Sequence, residues 1–339
     1  MLMVVLQHTI SGTTVGYENT FLFRAVWSLQ MPLFFVISGY VTRYSKPVIT
    51  FFGLAKTLRK RSLSYLLPWV VWTIAIRGIL FGQKSFLDFQ DLLWHMDKGY
   101  WFLVSLWTIV VIYAIADYLS NLCKRHSRMW SIILHLLFCG CGMTILGGIG
   151  YYCGIDFLSI KLTLYYIPLY LCGYIFGQLQ DSINVRAKSF KVLPTIYGFA
   201  FGLWIFIILR INFYNAELSL EILILRYMAS AFGCVALIGF VSNFYNALGG
   251  VFTAAGKYSL EIYLLHYLLL KPLSRIQLAE LTSLRGFLTM TVEYALTIGM
   301  IVIILRIIIR NPILNKVLFY KTTSGVSSVA LSSGPGKTH

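Results

Sequence analysis

His8 and His266 are the side chains of this sequence best placed to move a proton near neutral pH, because imidazole titrates there and most side chains do not. His8 closes the apolar run Met1–Leu6 and Gln7, and a polar stretch rich in Gly, Ser and Thr follows it. An ionisable group at membrane depth mostly faces a protein interior or a watery cavity. His8 therefore reads either as a base meeting an external substrate or as a residue anchoring a helix end. Tyr263 and His266 are three residues apart and share a helix face. Arg59-Lys60-Arg61 could clamp phosphates, or could be ordinary loop charge. Tyr100 and Trp101 offer aromatic faces for a sugar ring, with interfacial anchoring as the commoner use, and nearby His95 shares that ambiguity. Arg77 and Glu293 are charges inside apolar runs, which either chemistry or a structural ion pair would explain.

The elements that must position these residues are membrane helices. The chain is 58% hydrophobic and 12% charged over 339 residues, with a mean hydropathy of +0.76. That balance excludes a soluble domain of this size, and apolar runs of about 20 residues recur, as spanning helices need. The expected fold is all-α: a polytopic transmembrane helix bundle of about ten spans. The first span is incomplete and ends near Ile10. The others lie near 24–42, 63–81, 101–119, 130–150, 162–180, 193–211, 222–242, 257–271 and 286–308. One membrane domain, 1–321, takes up nearly everything, and 322–339 reads as a disordered cytoplasmic tail rich in Ser and Gly.

The net charge of +16 does not point to nucleic acid, because the basic residues gather in alternate short loops. Arg43, Lys46, Lys56, Arg59, Lys60 and Arg61 follow the second span; Lys124, Arg125 and Arg128 follow the fourth; Arg186, Lys188 and Lys191 follow the sixth. The intervening loops hold Asp88, Asp91 and Asp97, then Asp156, Glu217 and Glu221, and Glu280. This alternation predicts a multi-pass protein with both termini in the cytoplasm. Pro32, Pro68 and Pro168 fall inside spans, where they should kink helices or open local cavities. The six cysteines lie mostly in apolar runs and read as small hydrophobes rather than metal ligands.

Five stretches carry a resemblance. They are Val4-Val-Leu-x-His8; Met31-Pro-Leu-Phe-Phe-x-x-Ser-Gly-Tyr40; Arg59-Lys60-Arg61 ahead of Leu-Leu-Pro68-Trp69; Tyr100-Trp-Phe-Leu103; and Tyr263-Leu-Leu-His266. Together they resemble the acyltransferase 3 family of integral membrane O-acyltransferases, most of all the branch that acetylates bacterial surface sugars. The resemblance implies a bacterial plasma-membrane enzyme using cytoplasmic acyl-CoA, in particular acetyl-CoA, as donor substrate, with no metal. The acceptor would be a hydroxyl of a surface carbohydrate or its lipid-linked precursor on the far side. It further implies catalytic roles for His8 and His266, a donor tunnel shaped by Ser38 and Gly39, coenzyme contacts from Arg59 and Arg61, and an acceptor platform at Tyr100 and Trp101.

Two departures stand out. Gln30 occupies a position often held by His in a related branch, and the family's basic residue upstream of the first histidine would fall before Met1. The latter, with the short first span, leads to the expectation that the sequence is truncated at its N-terminus. A glycan transporter or flippase is the alternative that explains the spans and intramembrane charges, although no paired halves with interrupted helices are visible.

Overall fold

The computed structural model describes residues 1–83, 87–96, 99–123, 128–190, 193–217, 219–273 and 279–320. Asp97, Lys124, Arg125, Lys191 and the tail expected to be disordered lie outside the described residues.

Among the described residues eight helices are long and apolar enough to cross a membrane, and the short helices Leu2–Thr13 and Ser259–Leu273 lie where the other two of the ten spans were expected. In chain order the short first helix is α1 (Leu2–Thr13), followed by strand β1 (Thr14–Val15) and α2 (Phe21–Val41). Helix α3 (Phe51–Val70) continues as a π-helical segment, Val71–Leu80, directly after Pro68. A short α4 (Phe89–Trp94) precedes α5 (Trp101–Leu122), α6 (Arg128–Cys153), α7 (Ile160–Phe190) and α8 (Leu193–Arg210). Then come α9 (Leu220–Lys257), α10 (Ser259–Leu273), strand β2 (Ala279–Glu280), α11 (Leu284–Arg310) and α12 (Pro312–Phe319). The runs are helical because lipid offers no partner to loose backbone groups. Helix α9, at 38 residues, spans ~57 Å and so outreaches a hydrocarbon core of about 30 Å.

Small residues set the closest crossing. A Cβ on Gly39 of α2 would lie 1.9 Å from the Tyr170 carbonyl oxygen of α7, and one on Gly173 would lie 1.9 Å from the Val36 carbonyl oxygen. Only glycine lets the two backbones come this near. At the basic end of the same crossing, Tyr40 Oη and Arg43 Nη1 both donate to Gln180 Oε1.

The main core gathers Val4 and Val5 of α1, Phe35 of α2, Trp69 and Trp72 of the α3 unit, and residues of α5, α7, α10, α11 and α12. Helix α12 folds back into it: Trp72 Nε1 donates to the Leu318 carbonyl at 2.9 Å and the Trp72 ring stacks on Phe319. At the face opposite the basic loops, β1 pairs in parallel with β2, Thr14 opposite Ala279 and Val15 opposite Glu280. This two-residue pairing ties the end of α1 to the connection between α10 and α11.

Candidate active site

Helix α1 is rich in hydroxyls where a spanning helix would be apolar, and it answers them internally. Thr9, Thr13 and Thr14 each donate from Oγ1 to the carbonyl four residues back, at 2.9, 2.9 and 2.8 Å. His8 has no such local outlet. It sits half-buried less than two turns before β1, and its ring lies 5.2 Å from the ring of His266 on α10.

His266 is 1% exposed. Its Nδ1 lies 2.5 Å from the Tyr263 carbonyl oxygen. A carbonyl only accepts, so Nδ1 carries the hydrogen, and in the neutral ring Nε2 holds the lone pair. That Nε2 is buried with no hydrogen-bond partner. The half-open imidazole of His8 is thus backed by a fully enclosed one whose tautomer is set by its own helix.

Aromatic and cationic groups close the site. The Tyr267 ring lies 6.4 Å from both His8 and His266, edge-on to each. Arg77, in the π-helical segment, is 3% exposed and places its guanidinium 4.2 Å above the Tyr267 ring and 5.8 Å from that of Tyr100. Cation–π contact of this kind holds an arginine in a water-poor interior. π-helical turns are rare and gather at functional sites. Tyr100 is 2% exposed and donates to the Leu264 carbonyl at 3.0 Å, which fixes the start of α5 against α10. It is a core residue rather than an interfacial anchor.

Four sequence-predicted residues, His8, His266, Arg77 and Tyr100, therefore meet from four separate elements. Tyr267 was missed; its only signal is that it directly follows His266 inside an apolar run. Trp101, one residue beyond Tyr100, turns the other way and stacks on Tyr166 at 5.7 Å along the wall of a separate cavity. Ser38 is half-buried and Gly39 buried at the α2–α7 crossing near the basic end, while Arg59 is exposed and Arg61 half-buried midway along α3. None of these four belongs to the histidine cluster. His95, exposed just after α4, pairs with Asp91 at 2.7 Å. The structural ion pair considered for Glu293 is not formed among the described residues; its Oε2 is buried without a hydrogen-bond partner.

Two imidazoles among aromatic rings, one half-buried and one enclosed, are groups able to take up a proton near neutral pH. The comparisons with known proteins bear on the whole chain. Nodulation protein NolL of Mesorhizobium japonicum is 23% identical over 337 residues, a match covering 91% of this chain and 81% of that protein. No solved structure matches. The family described as an acyltransferase domain matches residues 1–310, and the chain belongs to it: it is a multi-pass membrane acyltransferase.

Proposed function

We propose that the protein is an O-acyltransferase, and specifically an O-acetyltransferase, of a bacterial plasma membrane. It carries an acyl group from cytoplasmic acyl-CoA to a hydroxyl of a surface carbohydrate or its lipid-linked precursor. Membership of the family supports acyl transfer. The single observation that carries the mechanism is the pairing of half-open His8 with enclosed His266 at 5.2 Å.

His8 takes the proton from the acceptor hydroxyl as its oxygen attacks the thioester carbonyl. The new C–O bond forms, the C–S bond breaks, and the leaving thiolate takes the proton from His8 to become free coenzyme thiol, which restores the neutral base. His266 does not touch substrate in this scheme. Its Nε2 lone pair faces the charge that appears on His8 and stabilises it, the role a carboxylate plays behind a catalytic histidine elsewhere. Arg77, held over Tyr267 beside the histidines, is the cation that favours negative charge on the attacked carbonyl oxygen in this scheme.

The donor enters from the basic face. Arg59 and Arg61 suit the phosphates of coenzyme A at that surface, and the glycine-lined crossing at Ser38 and Gly39 borders the path inward. Tyr100 and Trp101 serve the acceptor side, and both termini are cytoplasmic in this arrangement. The test is thiol release from acetyl-CoA by purified protein in nanodiscs, with and without added glycan. Release that depends on His8 supports the proposal; release equal in His8→Ala protein removes the base.

A further inference from the structure

A second feature on the acceptor side is not used by that mechanism. Between α2, α7 and α9 lies a cavity of about 570 Å³, with Trp101 at its rim. Its lining is mostly aromatic and apolar: Trp101 stacks on Tyr166 at 5.7 Å, and Tyr165 stacks on Tyr227 at 5.1 Å. Into this setting project two cations, Lys161 and Arg226, and no carboxylate among the described residues lines the space with them.

Arg226 is held but not satisfied. Its Nη2 donates to the Phe213 carbonyl and its guanidinium lies 5.5 Å from the Trp27 ring. Its Nε is buried with no hydrogen-bond partner. On α2, Gln30 Oε1 is likewise buried and unpartnered, and it lines the same cavity. A desolvated guanidinium N–H without an acceptor is costly at membrane depth. A cation pair without acids calls for an anion, and an apolar cleft with a few convergent polar atoms is the usual form of a small-ligand site.

We propose that this cavity binds a glycosyl ring carrying an anionic group, either a carboxylate or a phosphate, as the non-reacting part of the acceptor. Arg226 Nε and Lys161 take the anion, Gln30 Oε1 accepts from a ring hydroxyl, and the faces of Trp27 and Trp101 cover the apolar side of the sugar. The proposal rests on the acyltransferase reading for its role in turnover, though not for binding itself. Tyr100 faces the histidines while Trp101 faces the cavity, so adjacent residues of α5 join the two spaces. One ring held in the cavity leaves the next ring of a longer acceptor to present its hydroxyl at His8.

The experiment reads binding without turnover, by tryptophan fluorescence of the full chain in nanodiscs. Four probes are titrated: glucuronic acid, glucose 1-phosphate, methyl glucoside and inorganic phosphate. At least one anionic sugar is expected to bind tenfold or more tightly than methyl glucoside, and whichever of the two binds better identifies the source of the anion. Arg226→Gln should abolish that preference. Gln30→Glu, which sets a carboxylate against the anion, should weaken anionic sugars by tenfold or more while sparing methyl glucoside. Equal binding of charged and neutral sugars, inorganic phosphate binding as well as glucose 1-phosphate, or a preference that survives both substitutions would each overturn the proposal. His8→Ala protein should bind all four probes as the wild type does. Failure of the acyl-transfer scheme, seen as absent thiol release, is therefore separate from failure of the cavity assignment.

Discussion

Two histidines are almost wholly buried in this bundle, and they could hardly be housed more differently. His266 has its Nδ1 tied to the Tyr263 carbonyl, a half-open histidine beside it and a cation 4.2 Å above the neighbouring Tyr267 ring. His135, on α6 and also 1% exposed, lies between the rings of Tyr113 at 4.7 Å and Tyr174 at 4.4 Å. Both of its ring nitrogens lack hydrogen-bond partners. Burial is the same in the two places. What differs is that one imidazole has its Nδ1 tied to a carbonyl and a half-buried imidazole beside it, whereas the other is walled in by tyrosines. A membrane histidine becomes a site through orientation and access, which burial alone does not confer.

Substitutions at the two places should separate in the same way. Replacing His8 by Ala should reduce acyl transfer by about 10²–10⁴-fold, the range spanned by removal of a general base, with monodisperse elution unchanged. A transfer rate within tenfold of wild type would erase the distinction. His266→Ala should cost less, about 10–100-fold in kcat with little change in donor KM, because it removes the stabilising partner and leaves the base. A pure KM effect would mean that His266 shapes donor binding instead.

Gly39→Ala tests the crossing that sets Tyr170 and Tyr174 beside His135. A methyl there meets the Tyr170 carbonyl at 1.9 Å, so the helices must separate, at a cost of about 1–3 kcal/mol. The thermal midpoint should fall, with activity falling only as folded protein is lost. His135→Phe should do least: transfer within twofold of wild type, and a midpoint unchanged or raised, since an unsatisfied buried polar group is removed. If His135→Phe abolished transfer instead, the two histidines would be alike after all.

The architecture was largely legible in the chain because lipid permits few alternatives. Apolar runs placed most of the long spans within a few residues, and even α10 was visible as the run 257–271. The exception is α3, which begins at Phe51, twelve residues before the expected start at 63, because its first half carries the basic residues. The expected end of the span near residue 242 agrees with the apolar stretch Leu220–Phe244, but the helix itself runs on to Lys257 across Gly249 and Gly250 without a break. Nothing local signals that hydrophilic extension, which lacks the lipid constraint. The candidate site was legible one residue at a time but not as an assembly. His8 and His266 each stood out as polar groups in apolar runs, yet their meeting depends on how α1 packs against α10. The π-helical turn that carries Arg77 has no sequence mark beyond the nearby Pro68. Arg226 and His135 were not singled out from the sequence, since only packing distinguishes a charge facing a cavity from a ring enclosed by tyrosines.

The parallel pairing of β1 with β2 has a consequence for how the enzyme is made. Chains emerge N-terminus first, at about 5–20 residues per second, so α1 reaches the membrane long before α10 and α11 exist. Its threonines, bonded to their own helix, let it wait there without partners. Only when the final helices are in place can the Thr14–Ala279 register close and bring the second imidazole to the first. A partly synthesised or prematurely terminated chain therefore holds the first imidazole without the second. Completion of translation is itself the step that assembles the pair.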